Sequence, residues 1–167
     1  MDKKIKLGLI GFGNMGTGHT ENIMVGKCPE VELVAICDIN PARIDYCKSQ
    51  YPDANFAYFT DAIEMLDSGL IDSCLVAVPH YDHTKYSIEC MKRGIHVMCE
   101  KPAGVYTKQV REMIAESEKH PEVVFGMMFN QRTNPVYRKM HELVHSGKYG
   151  EIRRTNWLIT NWFRSQA

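Results

Sequence analysis

Short apolar runs alternate with segments of helical period along this 167-residue chain. The runs are IKLGLI (5–10), VELVAIC (31–37), a weaker NFAYF (55–59), SCLVAV (73–78), IHVMC (95–99) and EVVFGMMF (122–129). Each is too short for a helix and largely apolar instead of alternating, the pattern of strands covered on both faces in a parallel sheet. Between them lie helix signals. Asn40 and Pro41 read as the cap and first residue of a helix that turns Ile44 and Cys47 inward. Thr84, Ser87, Ile88 and Met91 form the inner face of another, closed by Lys92, Arg93 and Gly94. Thr107 is placed to cap a third, which carries Val110, Met113, Ile114 and Ser117 and ends at Pro121. Strand and helix repeated in this order predict an α/β fold, a doubly wound parallel sheet.

Composition narrows the partners. With 44% hydrophobic and 24% charged residues the chain has the makings of an ordinary globular core. Twenty basic residues balance twenty acidic ones with no block of like charge, so neither nucleic acid nor a membrane surface is an expected partner. A small molecule is. The start, MDKKIKLGLIGFG, has a basic end and an apolar run, but the run is short, broken by glycines and without an A-x-A cleavage site. It reads as the first strand of a cytoplasmic protein. Cys28, Cys37, Cys47, Cys74, Cys90 and Cys99 form no C-x-x-C and mostly lie in apolar or helical patterns, so free thiols are expected.

The first run leads into GFGNMG, a G-x-G-x-x-G made of Gly11, Phe12, Gly13, Asn14, Met15 and Gly16. The motif alone is weak. Here it follows a strand, opens a helical segment and is followed, about twenty positions on, by an acid ending the second strand, Asp38. Gly11 allows the tight turn, Gly13 the close approach of backbone N–H groups to a pyrophosphate, and Gly16 the close packing of helix on strand. Asp38 is suited to an adenosine ribose and repels a 2′-phosphate, which favours NAD over NADP. Arg43, on the following helix, is the residue that would accommodate a phosphate instead.

GLIGFGNMG, VPHYDH after the fourth strand, CEKPAG after the fifth, FNQRTNP after the sixth and SGKYGEI resemble the glucose-fructose oxidoreductase and inositol dehydrogenase family (Gfo/Idh/MocA). The resemblance runs in order over essentially the whole chain, and E-K-P is its most specific element. It implies a Rossmann domain over residues 1–150, then an α/β substrate domain whose first strand occupies 151–167 and whose remainder lies beyond this chain. It also implies hydride transfer between a nicotinamide and a carbinol carbon of a sugar or polyol, and a homo-oligomer for the complete protein.

In open α/β sheets ligands bind beyond the carboxyl ends of the strands, and Lys101 is at such an end, where an ammonium can favour a developing alkoxide. By the resemblance, Lys101 is the catalytic residue, beside cofactor and substrate with Glu100 and Pro102, and the Lys101–Pro102 bond is cis. Pro79 and His83 match the family's T-P-x-x-x-H, although Val78 stands where threonine is usual. His83 is either a helix cap or a cofactor contact. Asn130 and Arg132 match residues near nicotinamide and substrate, against the plainer readings of a turn asparagine and a solvated arginine. Two alternatives remain open: an NAD-dependent glycoside hydrolase, and a non-enzymatic NAD sensor.

HELVH, 141–145, satisfies H-E-x-x-H, which sets two histidines one helical turn apart around a glutamate. The extended zinc motif would need Gly at 148 and His at 151, where the chain has Lys148 and Glu151. No metal is expected there. Met140, Leu143 and Val144 read as the packing face of that helix.

Overall fold

Glycines, prolines and side-chain caps divide the apolar runs from the helices. The computed structural model describes residues 4–158 and 160. Six strands, β1 (Ile5–Ile10), β2 (Val31–Cys37), β3 (Ala57–Phe59), β4 (Ser73–Val76), β5 (His96–Glu100) and β6 (Phe125–Met128), alternate with helices α1 (Asn14–Met24), α2 (Pro41–Gln50), α3 (Ala62–Asp67), α4 (His83–Lys92) and α5 (Thr107–Lys119). Helices α6 (Asn130–Thr133) and α7 (Pro135–His145) follow. Among the described residues all strand pairs are parallel, in the order β3-β2-β1-β4-β5-β6. The order reverses between β1 and β4, and at such a switch point a crevice opens at the carboxyl ends of the strands.

Contacts divide the chain into two compact units, residues 1–128 and 129–167. In the first, successive strand residues serve opposite faces of the sheet. Leu9, Ile36 and Leu75 join Phe12, Ile44, Cys47 and Phe56 on one side. Ile10, Ala35, Cys37, Cys74 and Val76 join Met65, Met91 and Met113 on the other. Both faces are covered, which is why the strands are continuous apolar runs in the sequence.

The caps decide several boundaries. Asn40 accepts the Ala42 N–H and Pro41 opens α2, with Ile44 and Cys47 buried as the pattern predicts. Gly94, at φ +69°, follows α4. Thr107 is not a cap. The backbone is still extended at Tyr106, so Thr107 is already the first helical residue of α5. On that helix Met113 is buried but Ile114 lies at its margin, 47% exposed.

In the second unit α7 ends at Ser146 and Gly147, as its sequence indicates. Met140, Leu143 and Val144 are nevertheless exposed, because no described element covers that face. The strand expected from 151 does not form over 151–158, where no described strand pairs with it and a lone strand leaves its backbone groups unbonded. Ile159, Trp162 and Phe163, counted in that strand by the sequence pattern, lie outside the described residues. Tyr137 and Trp157 stack with ring centroids 5.7 Å apart.

Candidate functional site

Three glycines shape the turn from β1 into α1, each for a different reason. Gly11 has φ +95°, and a Cβ there would stand 2.6 Å from the Ala77 carbonyl oxygen at the end of β4. A side chain on Gly16 would collide with the Gly11 carbonyl oxygen. Gly13 differs: nothing lies within 4 Å of where its Cβ would be. It is the N-cap of α1, offers no side-chain cap, and no acidic residue stands in the first turn. The helix therefore begins with uncapped N–H donors behind an open backbone surface, a cradle suited to an anion. Asn14 and Met15 are exposed on that first turn, whereas the Phe12 side chain is fully buried in the core.

Asp38 follows the last residue of β2. Its Oδ2 accepts the Phe12 N–H at 2.7 Å and its Oδ1 the Asn40 N–H at 2.9 Å. Arg43 reaches back to the same turn. Its Nε donates to the Phe12 carbonyl at 2.7 Å, its Nη2 lies 3.3 Å from Thr17 Oγ1, and its guanidinium sits 5.1 Å from the Tyr46 ring centroid.

The loop after β5 is anchored to α4. Lys101–Pro102 is a cis bond, and both residues are exposed. His83, 1% exposed, has Nδ1 2.6 Å from the Pro102 carbonyl oxygen and Nε2 2.8 Å from that of Val78. Thr84 Oγ1 donates to the Ala103 carbonyl at 3.3 Å, and Gln109 Oε1 accepts the Val105 N–H at 3.1 Å. His83 thus ties the segment after β4 to the one after β5; all its described partners are backbone. Pro79 is exposed at the start of a single 3-10 turn, His80–Asp82.

Glu100 is 4% exposed. Its Oε2 accepts the Lys101 N–H at 3.1 Å, and its Oε1 lies 2.7 Å from His19 Nε2 on α1. His19 escaped the sequence reading. Its partner is 81 positions away, and a histidine on a helix of mixed polarity gives no local sign of a buried partner.

The first unit therefore brings together the glycine turn, Asp38, Pro79, His83, Glu100, Lys101 and Pro102. Asn130 and Arg132 belong to the second unit, both exposed on α6. In that unit the His141 and His145 rings stack at 4.0 Å, and His145 Nδ1 lies 2.9 Å from the His141 carbonyl oxygen. Among the described residues no group of three or more His, Cys, Asp or Glu is arranged to hold a metal. All six cysteines are free. Burial, with the neighbouring Asp38 carboxylate adding to it, pushes the Cys37 thiol up to about 12.

The family model described as an oxidoreductase family with an NAD-binding Rossmann fold matches residues 5–127. The myo-inositol 2-dehydrogenase of Thermotoga maritima is 31% identical over 147 residues, 88% of this chain and 42% of that protein. The structure of myo-inositol 2-dehydrogenase from Lactobacillus plantarum aligns with a TM-score of 0.82 and 29% identity, over 90% of this chain and 43% of the other. That of scyllo-inositol dehydrogenase from Lactobacillus casei, with bound NAD(H) and scyllo-inositol, aligns with a TM-score of 0.81 and 28% identity, over 89% and 43%. The chain spans less than half the length of the curated relatives it matches.

Proposed function

We propose, because this chain belongs to the Gfo/Idh/MocA family of oxidoreductases, that its full-length gene product oxidises a hydroxyl-bearing carbon of a sugar or polyol. The chain carries the family's NAD-binding Rossmann domain. Its residues fit the cofactor: the open Gly13 surface and the uncapped start of α1 would hold the pyrophosphate, and Asp38 the adenosine ribose. When bound, NAD supplies the hydride acceptor.

The observation that carries the reading is Lys101, exposed at the carboxyl end of β5 on a loop pinned by His83 and Thr84. An ammonium held there would hydrogen-bond a substrate hydroxyl and favour negative charge on its oxygen as the proton leaves. Pro79, His83, Glu100 and Pro102 would shape the nicotinamide side of the site, mostly by holding that loop. Asn130 and Arg132 would meet the polyol, Arg132 through its fork of donors. The names of the relatives, inositol dehydrogenases, favour this reading over glycoside cleavage or cofactor sensing. Among the described residues no helix is long and apolar enough to cross a membrane; a cytoplasmic homo-oligomer is the proposed state of the gene product.

The test separates cofactor binding from turnover. In the full-length gene product Lys101→Met should lower turnover of inositols or common sugars by about 10²–10³-fold, while NADH affinity stays within about twofold. Unchanged turnover removes Lys101 from the mechanism. The 167-residue chain by itself should bind NADH in a fluorescence titration and oxidise no polyol, since positioning accounts for roughly 7–11 kcal/mol of such barriers.

A further inference from the structure

We infer that His19 is a positioning residue for Lys101, acting through Glu100, an inference that rests on the proposed role of Lys101. His19 lies on the second turn of α1, outside the glycine motif, yet its Nε2 is 2.7 Å from Glu100 Oε1. The other carboxylate oxygen takes the Lys101 backbone N–H. The side chains are 19% and 6% exposed, so the pair lies largely out of water. One buried carboxylate therefore bridges the helix that begins at the glycine turn and the amide of the residue proposed to touch substrate.

The chemistry of the pair sets its behaviour. A carboxylate only accepts, so the bridging imidazole nitrogen carries the proton. Removing that donor leaves Oε1 buried and unpaired, a state costly enough to turn the carboxylate toward water and so change its hold on the Lys101 N–H. A plain packing staple between helix and strand would behave otherwise, because a side chain filling the same volume would restore it whether or not it carries a donor. The distinguishing comparison is thus His19→Leu, which fills the space, against His19→Gln, whose amide restores a donor at similar reach.

Amide hydrogen exchange of the 167-residue chain, read by nitrogen-15 NMR, tests the link without a substrate. In His19→Ala and His19→Leu the Lys101 amide should exchange at least about tenfold faster, with β1 and β4 amides unchanged; in His19→Gln it should stay within about threefold of wild type. NADH affinity should remain within about twofold in all three. In the full-length gene product with NAD and scyllo-inositol, kcat should fall about tenfold or more in His19→Leu at unchanged KM for NAD, and His19→Gln should recover most of it. Unchanged Lys101 exchange, equal behaviour of the Gln and Leu variants, uniform acceleration across the sheet, or failure of both the Ala and Leu variants to fold would each overturn the inference. Absence of turnover in the wild type, or full turnover in Lys101→Met, strikes the proposed role of Lys101 instead, and the exchange result still judges the His19–Glu100–Lys101 link.

Discussion

The Asp38 carboxylate accepts the Phe12 N–H at 2.7 Å, so the acid that follows β2 also holds the turn that follows β1. The ribose recognition proposed for Asp38 would therefore share one side chain with the turn geometry.

Preference for NADH over NADPH follows from that placement, because a carboxylate repels a 2′-phosphate. Arg43 spends its Nε donor on the Phe12 carbonyl and lies against Thr17, which leaves fewer of its donors for a 2′-phosphate. Asp38→Ser should narrow the preference by about tenfold and cost roughly 1.5–3 kcal/mol of stability through the weakened turn bonds. Calorimetric titration and urea unfolding measure the two effects. Equal or tighter NADPH binding by the unmodified chain would count against the assignment of Asp38.

The glycines should respond differently to one added methyl group. Gly11→Ala forces a positive φ on alanine and a clash with the Ala77 backbone, and Gly16→Ala meets the Gly11 carbonyl. Both should lower stability by about 1–3 kcal/mol or more. Gly13→Ala meets nothing in the protein. It should leave the unfolding midpoint nearly unchanged, within about 1 kcal/mol, while weakening NADH binding by about tenfold or more. Thermal melts with and without NADH separate these outcomes.

Alkaline pH should destabilise the fold through its buried thiols. Burial raises Cys37 to about 12 and Cys47 and Cys99 to about 11, from an ordinary 9.0. Folded pKa values above unfolded ones mean that this stability is fully present below pH 9 and is lost as pH rises toward 11 and 12. The urea midpoint should therefore hold steady below pH 9 and fall above it, less so in Cys37→Ala. At neutral pH a thiol reagent should modify half-exposed Cys28 first and reach the buried five only after unfolding.

Zinc should be absent from dialysed protein at stoichiometric levels. His141 and His145 stack on one another, with a His145 nitrogen against the His141 carbonyl, and the chain has Lys148 and Glu151 where the longer motif needs Gly and His. Elemental analysis checks this, and stoichiometric zinc lost in His141→Ala would reverse it.

The strand and helix alternation, the glycine turn and the acid that follows β2 were legible in the sequence because their causes are local, whereas the cis Lys101–Pro102 bond was expected only through the family resemblance. Periodicity reports two covered sheet faces, Pro and Gly mark element ends, and the turn into α1 needs glycines at set offsets. Tertiary structure alone decided the strand order, which sets β4 between β1 and β5 and brings the ends of these strands to one edge. It also decided that both ring nitrogens of buried His83 face backbone carbonyls, and that His19 meets Glu100 across 81 residues. It left 151–158 without the pairing that a strand requires. Hydrogen bonds between distant segments leave no periodic trace in either one, since each partner keeps the polarity of a solvent-facing residue until the sheet brings the two together.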